Sequence, residues 1–174
     1  MKSSRGEGSE FVVWLPESAA AGGAAAAARA DPQAPATATV PLSVLYVEDN
    51  PVNALVMREL VAMRPNVVLR IVGDGVGGVA AALRDRPDLV LVDMQLPDMD
   101  GHEVLRRLRA QAFASRIVAL SANAMPDAVA RARASGFDDY WTKPIDFGGF
   151  LASLDRLAAE RRTTAPFPAA DTKE

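Results

Sequence analysis

Asp88-Leu89-Val90-Leu91-Val92-Asp93-Met94-Gln95-Leu96-Pro97-Asp98-Met99-Asp100-Gly101 is the stretch on which the fold turns. Leu89 to Val92 form an unbroken apolar run rich in β-formers, closed by an acid. A run of this length, stopped by Pro97 and Gly101, reads as a strand buried on both faces, as in a parallel sheet. Asp98 and Asp100, just before Gly101, read as turn formers rather than ligands.

The same grammar repeats on either side. Leu42–Val47 reads as a strand ending in Glu48-Asp49. Asn50-Pro51 then supplies an N-cap and an N1 proline. The helix that follows carries Val52, Leu55, Val56, Leu60 and Met63 on one face, expected to pack on the core. Val67–Val72 is a second strand. A helix over about Val76–Arg84 is weakened at its start by Gly75, Gly77 and Gly78, at roughly 1 kcal/mol each against alanine. After the Asp88–Asp93 strand, Val104, Leu105 and Leu108 mark a helix over Glu103–Ala110, with His102 expected as a solvated first-turn residue. Ile117–Leu120 is a fourth strand, ended by Ser121, and Pro126 opens a helix that stops near Gly136. Phe137–Trp141 is a fifth strand, followed by Lys143-Pro144. Phe147, Phe150, Leu151, Leu154 and Leu157 form a last amphipathic helix.

Strands alternating with helices imply right-handed crossovers and a parallel sheet covered on both sides. The expected fold is α/β: a flavodoxin-like, doubly wound, five-stranded parallel sheet in the order 2-1-3-4-5 with five helices. Ligands of such sheets bind beyond the carboxyl ends of the strands. Glu48-Asp49, Asp93, Ser121 and Lys143 all fall at those ends.

Around this domain, predicted over 42–160, the chain changes character. Residues 18–41 are rich in Ala, Gly and Pro and read as a linker. Within residues 1–17, Phe11–Leu15 reads as one strand, unstable alone. Residues 161–174 read as a disordered tail. The 174 residues are 49% apolar, carry a formal charge of −3 and contain no cysteine. Disulfides and thiolate metal sites are therefore excluded. No Lys/Arg cluster interleaves with aromatics, so nucleic-acid binding is not expected. No apolar stretch approaches the roughly 18–20 residues of a membrane span, and no secretory signal is legible. A cytoplasmic protein making no membrane contact is expected.

The residues at the strand ends suggest a chemistry. Magnesium prefers about six oxygen ligands, and Glu48, Asp49 and Asp93 offer three carboxylates, with the backbone carbonyl of Gln95 as a further oxygen. Beside the ion, the Asp93 carboxylate can attack phosphorus, while Lys143 and the Ser121 hydroxyl meet the equatorial oxygens. Taken singly, each has a plainer reading: a solvated acid pair, an exposed lysine, a serine capping a strand. Their order and spacing together favour the acceptor site.

These residues resemble the receiver domain of two-component response regulators. The resemblance rests on Glu48-Asp49, on Asp93 through Gly101, on Leu120-Ser121-Ala122 and on Tyr140-Trp141-Thr142-Lys143-Pro144, and covers about Leu42 to Leu157. It implies that Asp93 is phosphorylated by a phosphohistidine on a histidine kinase or histidine phosphotransfer domain, with Mg2+ held by Glu48, Asp49, Asp93 and the Gln95 carbonyl. It makes Ser121 and Tyr140 the switch pair, Lys143-Pro144 a cis bond, and Gln95 and Asn123 residues that tune acyl-phosphate lifetime. Gly6-Glu7-Gly8-Ser9-Glu10-Phe11-Val12-Val13-Trp14-Leu15-Pro16 resembles the closing strand of a histidine-kinase ATP-binding domain. Together with linker and receiver it implies the end of a hybrid sensor histidine kinase. ATP-binding and phosphohistidine parts are not legible, so kinase activity is not expected of this chain itself, only self-catalysed phosphorylation and dephosphorylation of Asp93. Alternatives are a stand-alone single-domain response regulator, a pseudo-receiver that only binds partners and, more distantly, a haloacid-dehalogenase-like phosphatase with an aspartyl nucleophile. The last needs a second acid two residues after the nucleophile, where this chain has Gln95.

Overall fold

The computed structural model describes residues 2–4, 8–10 and 41–164, with side chains described for 41–161. The chain divides into two units, Met1–Pro35 and Ala36–Glu174. In the first, Lys2–Ser4 pairs antiparallel with Gly8–Glu10. The strand expected at Phe11–Leu15, the linker expected over 18–41 except Pro41, and residues 165–174 of the tail lie outside the described residues; residues 161–164, expected to begin the disordered tail, are instead the last turn of the final helix.

The second unit holds five parallel strands: β1 (Leu42–Val47), β2 (Val67–Val72), β3 (Leu89–Asp93), β4 (Arg116–Ser121) and β5 (Asp139–Thr142). Their order is β2-β1-β3-β4-β5. The helices are α1 (Pro51–Ala62), α2 (Gly75–Asp85), α3 (Gly101–Ala110), α4 (Pro126–Ser135) and α5 (Phe147–Thr164). This is the expected doubly wound sheet. The last helix continues past residue 160, and β5 starts two residues later than expected, because Phe137 is used as a buried plug ahead of the strand.

Strand alternation sorts the core into two layers. Leu45, Val47, Val90, Val92, Ile117 and Ala119 face α2, α3 and α4, meeting Ala81, Ala82, Leu105, Leu108 and Ala132. Leu42, Val44, Tyr46, Leu89, Leu91, Val118 and Leu120 face α1 and α5, meeting Met57, Leu60, Val61, Phe150 and Leu154. All five residues of β3 are buried, as its unbroken apolar run requires.

Two sequence readings need correction here. On α1 the packed residues are Met57, Leu60 and Val61. Of the predicted face only Leu60 is buried; Val52 is 65% exposed, Leu55 53%, Val56 39% and Met63 60%. The helix is apolar on two sides, and the sheet takes the other one. The glycines of α2, read as a weakness, permit close approach. A Cβ on Gly78 would stand 2.7 Å from Val47 Cγ2, and one on Gly75 would stand 2.4 Å from Met99 Cγ. Gly78→Ala is therefore expected to lower stability by about 2 kcal/mol despite the better helix propensity of alanine. A urea melt checks this; an unchanged or higher midpoint contradicts the contact.

Candidate functional site

Register assembles the site. Val47 lies level with Val92, Asp93 with Leu120, and Ser121 with Thr142. One step beyond these ladders, Glu48 stands beside Asp93, and the Lys143 N–H donates to the Ser121 carbonyl at 2.8 Å. The order of strands reverses between β1 and β3, so Glu48-Asp49 and Asp93 flank the crevice where doubly wound sheets bind ligands.

Carboxylate oxygens of Glu48, Asp49 and Asp93 lie within 4.8 Å of one another. Lys143 Nζ donates to Glu48 Oε2 at 2.6 Å and to Asp93 Oδ2 at 2.7 Å. Asp93 Oδ1 accepts from the Gln95 N–H at 3.1 Å. Lys143-Pro144 is cis, as expected.

Glu48 is held by a network that sequence reasoning missed. The Tyr46 hydroxyl donates to its Oε2 at 2.5 Å; the Asn50 N–H and Asn53 Nδ2 each donate to its Oε1 at 3.1 Å. Alternation along β1 puts Tyr46 and Glu48 on one face, and that spacing was the available signal. Buried and facing two acids, the Tyr46 hydroxyl is pushed far up, so it stays a donor. Burial raises Glu48, but Lys143, Tyr46 and Asn53 outweigh it and hold the carboxyl below its ordinary range. Asp93 goes the other way. Burial dominates, Glu48 adds repulsion, and the bonds from Lys143 and Gln95 do not fully offset them, so its pKa is raised. Lys143 is lowered by burial but raised more by its two carboxylate partners.

The signs have opposite consequences for stability. Glu48 contributes stability that is present above its unfolded pKa and lost as pH falls through its lowered folded value. Asp93 penalises the folded state, and that penalty is complete once pH exceeds its raised value.

The donor set suits a hard cation. Asp49 is exposed, and its carboxylate has no partner among the described residues. Three acids against one ammonium leave excess negative charge, and all the converging ligand atoms are oxygen.

Ser121 and Tyr140 meet elsewhere, at Asn123. The Ser121 Oγ accepts from the Asn123 N–H at 3.1 Å, and the Tyr140 hydroxyl donates to the Asn123 carbonyl at 2.5 Å. By alternation Ser121 faces α3 and α4 while Asp93 faces α1 and α5, and no hydrogen bond joins their side chains among the described residues. Beside Ser121 lies a cleft of about 430 Å³ lined by Met94, Gln95, His102, Asn123, Arg131 and Tyr140. His102 is half-buried rather than solvated, its ring edge-on to Phe137 at 5.7 Å. Asp100 caps α3 by accepting from the Glu103 N–H at 2.8 Å, and Asp98 caps α2, so both acids are engaged with helix ends.

The family model for the response regulator receiver domain matches residues 44–155. The chain belongs to this family. Among curated proteins, this receiver is 42% identical over 127 residues to the probable transcriptional regulatory protein TcrX of Mycobacterium tuberculosis, covering 71% of this chain and 51% of TcrX. It is 39% identical over 124 residues to the sensor protein GacS of Pseudomonas syringae, covering 68% of this chain and 14% of GacS. The chain thus spans about half of one relative and a small part of the other. Among solved structures, the receiver domain of the sensor histidine kinase PA1611 from Pseudomonas aeruginosa matches with a TM-score of 0.61 and 33% identity, over 68% of this chain and 98% of that one. That structure has a magnesium ion coordinated in its active-site cleft. Relatives of this receiver thus include both regulators and sensor proteins of two-component signalling. No helix among its described residues is long and apolar enough to cross a membrane.

Proposed function

We propose that this receiver takes a phosphoryl group from phosphohistidine onto Asp93, and that it serves as the receiver of a hybrid histidine kinase. The observation that carries the first part is the Glu48–Lys143–Asp93 chain, with the Asp49 carboxylate beside it and unpartnered among the described residues. An Asp93 oxygen attacks phosphorus, the phosphorus–nitrogen bond breaks, and the departing imidazole takes up a proton. Glu48, Asp49, Asp93 and the Gln95 carbonyl are the groups to hold Mg2+, which when bound neutralises charge on the phosphoryl oxygens. Lys143, already on Asp93, shifts to follow one of those oxygens. The Ser121 hydroxyl, which accepts from the Asn123 N–H and keeps its own O–H to donate, must turn from the α3/α4 side toward Asp93 to reach another, and that turn draws it off Asn123. Tyr140 grips the same residue, so the two move together. Similarity to PA1611 and GacS, and the Gly6–Pro16 resemblance, support the hybrid-kinase setting. Likeness to TcrX favours the second reading, a stand-alone regulator.

The donor needs a docking face, and α1 supplies one. Val52, Leu55 and Val56 are exposed, and a small cleft lined by Val56, Lys143 and the half-exposed Phe147 links them to the site. An apolar helix of a phosphotransfer partner fits this strip with its histidine toward Asp93. Leu55→Asp is expected to slow transfer from a phosphorylated phosphotransfer domain at least roughly tenfold while leaving labelling by acetyl phosphate unchanged. Equal transfer rates for variant and parent exclude α1 as the docking face.

A further inference from the structure

The N-terminus of α2 is capped twice. Its own N-cap, Asp74, accepts from the Gly77 N–H at 2.6 Å. The remaining first-turn donors go to a distant residue: Asp98 Oδ1 accepts from the Gly75 N–H at 2.7 Å, and Asp98 Oδ2 from the Val76 N–H at 2.9 Å. Those amides hold the Asp98 carboxyl below the ordinary carboxylate range. A local cap already exists, so the helix alone does not call for Asp98.

Asp98 sits at the apex of the loop joining β3 to α3, which follows directly on Asp93 and includes Gln95. The loop is closed on itself by a Gln95–Asp100 bridge and by the Gly101 N–H on the Met94 carbonyl at 3.2 Å. Its apex is also keyed to α2 by shape, since a Cβ on buried Gly75 would stand 2.4 Å from Met99 Cγ and 3.2 Å from Asp98 Oδ1. Because the loop is compact, holding the apex holds its base. Two oxygens on two successive N–H groups fix direction as well as distance, which one acceptor cannot do.

We infer that Asp98 is a positioning residue for the cation site: its carboxylate pins the β3–α3 loop, and with it Gln95, to the first turn of α2. The inference rests on the site reading above and extends it to a residue outside the acidic cluster. Outer groups that orient metal ligands typically change affinity by 10–100-fold when lost. At one further remove, Asp98→Ala is expected to weaken Mg2+ binding roughly tenfold. Asp98→Asn keeps one acceptor oxygen and falls between.

The test uses the full chain, with calorimetric Mg2+ titration and amide hydrogen exchange in metal-free protein. In Asp98→Ala, exchange is expected to quicken together at Gly75, Val76, Gln95 and Gly101, with β5 unaffected. Faster exchange at Gly75 and Val76 only, with unchanged Mg2+ affinity, reduces Asp98 to a plain helix cap and overturns the inference. Asp49→Asn serves as control: it loses Mg2+ affinity but keeps loop protection. If the parent chain takes up no Mg2+, the site reading falls. The pin is then decided by exchange at Gln95 and Gly101, where faster exchange upholds it and unchanged exchange overturns it.

Discussion

An Asp93→Asn variant is expected to accept no phosphoryl group and yet to fold more stably than the parent by about 1 kcal/mol. Both effects have one origin. Asp93 is 8% exposed, shares Lys143 with Glu48 and has its pKa raised by burial and by Glu48. Above that raised value the folded state bears the penalty of an ionised, crowded carboxylate. Asparagine removes the charge and keeps one acceptor oxygen, enough for either the Gln95 N–H or the Lys143 ammonium, which bind different oxygens of Asp93, while Lys143 retains Glu48. It also removes the anionic nucleophile. The stability gain should therefore shrink as pH falls and Asp93 becomes protonated in the parent. Urea melts at neutral and mildly acidic pH check this. A variant less stable than the parent at neutral pH contradicts the electrostatic account, whatever its phosphorylation.

Lys143→Ala carries the largest expected loss of stability, about 3 kcal/mol at neutral pH. The Glu48 side chain is fully buried, that of Asp93 is 11% exposed, and Lys143 is the one cation on both among the described residues. Without it, two like charges face each other out of water. Part of the loss returns if protons bind, so the destabilisation diminishes toward lower pH. Part also returns with Mg2+, because a divalent ion can stand in for the ammonium, so the midpoint should rise more with added magnesium than in the parent. A melt that is unchanged, or one insensitive to both pH and Mg2+, would falsify the assignment of Lys143 as the counter-charge.

The strands were legible because β1, β3 and β4 are apolar runs ending in a polar residue, and the polar ends converge once the topology is granted. α1 was misread for a physical reason. Periodicity identifies an apolar stripe, but it cannot say which of two stripes the sheet covers, and here Met57, Leu60 and Val61 are taken while Val52, Leu55 and Val56 stay outside. Tyr46 was hidden because a tyrosine in an apolar strand counts as core, and its hydroxyl matters only once Glu48 is known to be buried beside it. Gly75 and Gly78 were weighed by helix propensity, whereas their use is the approach of Met99 and Val47. Asp98 has the composition of a turn and the reach of a long-range cap, and only the packing of α2 against the loop separates the two.

The most direct measurement is transfer from a phosphorylated histidine phosphotransfer domain, with and without EDTA, followed by borohydride trapping and peptide mass mapping of the acceptor. The account predicts a single modified residue, Asp93, formed in the presence of Mg2+ and lost with the chelator. Modification at any other residue, transfer indifferent to the metal, or no transfer from phosphohistidine or acetyl phosphate contradicts it.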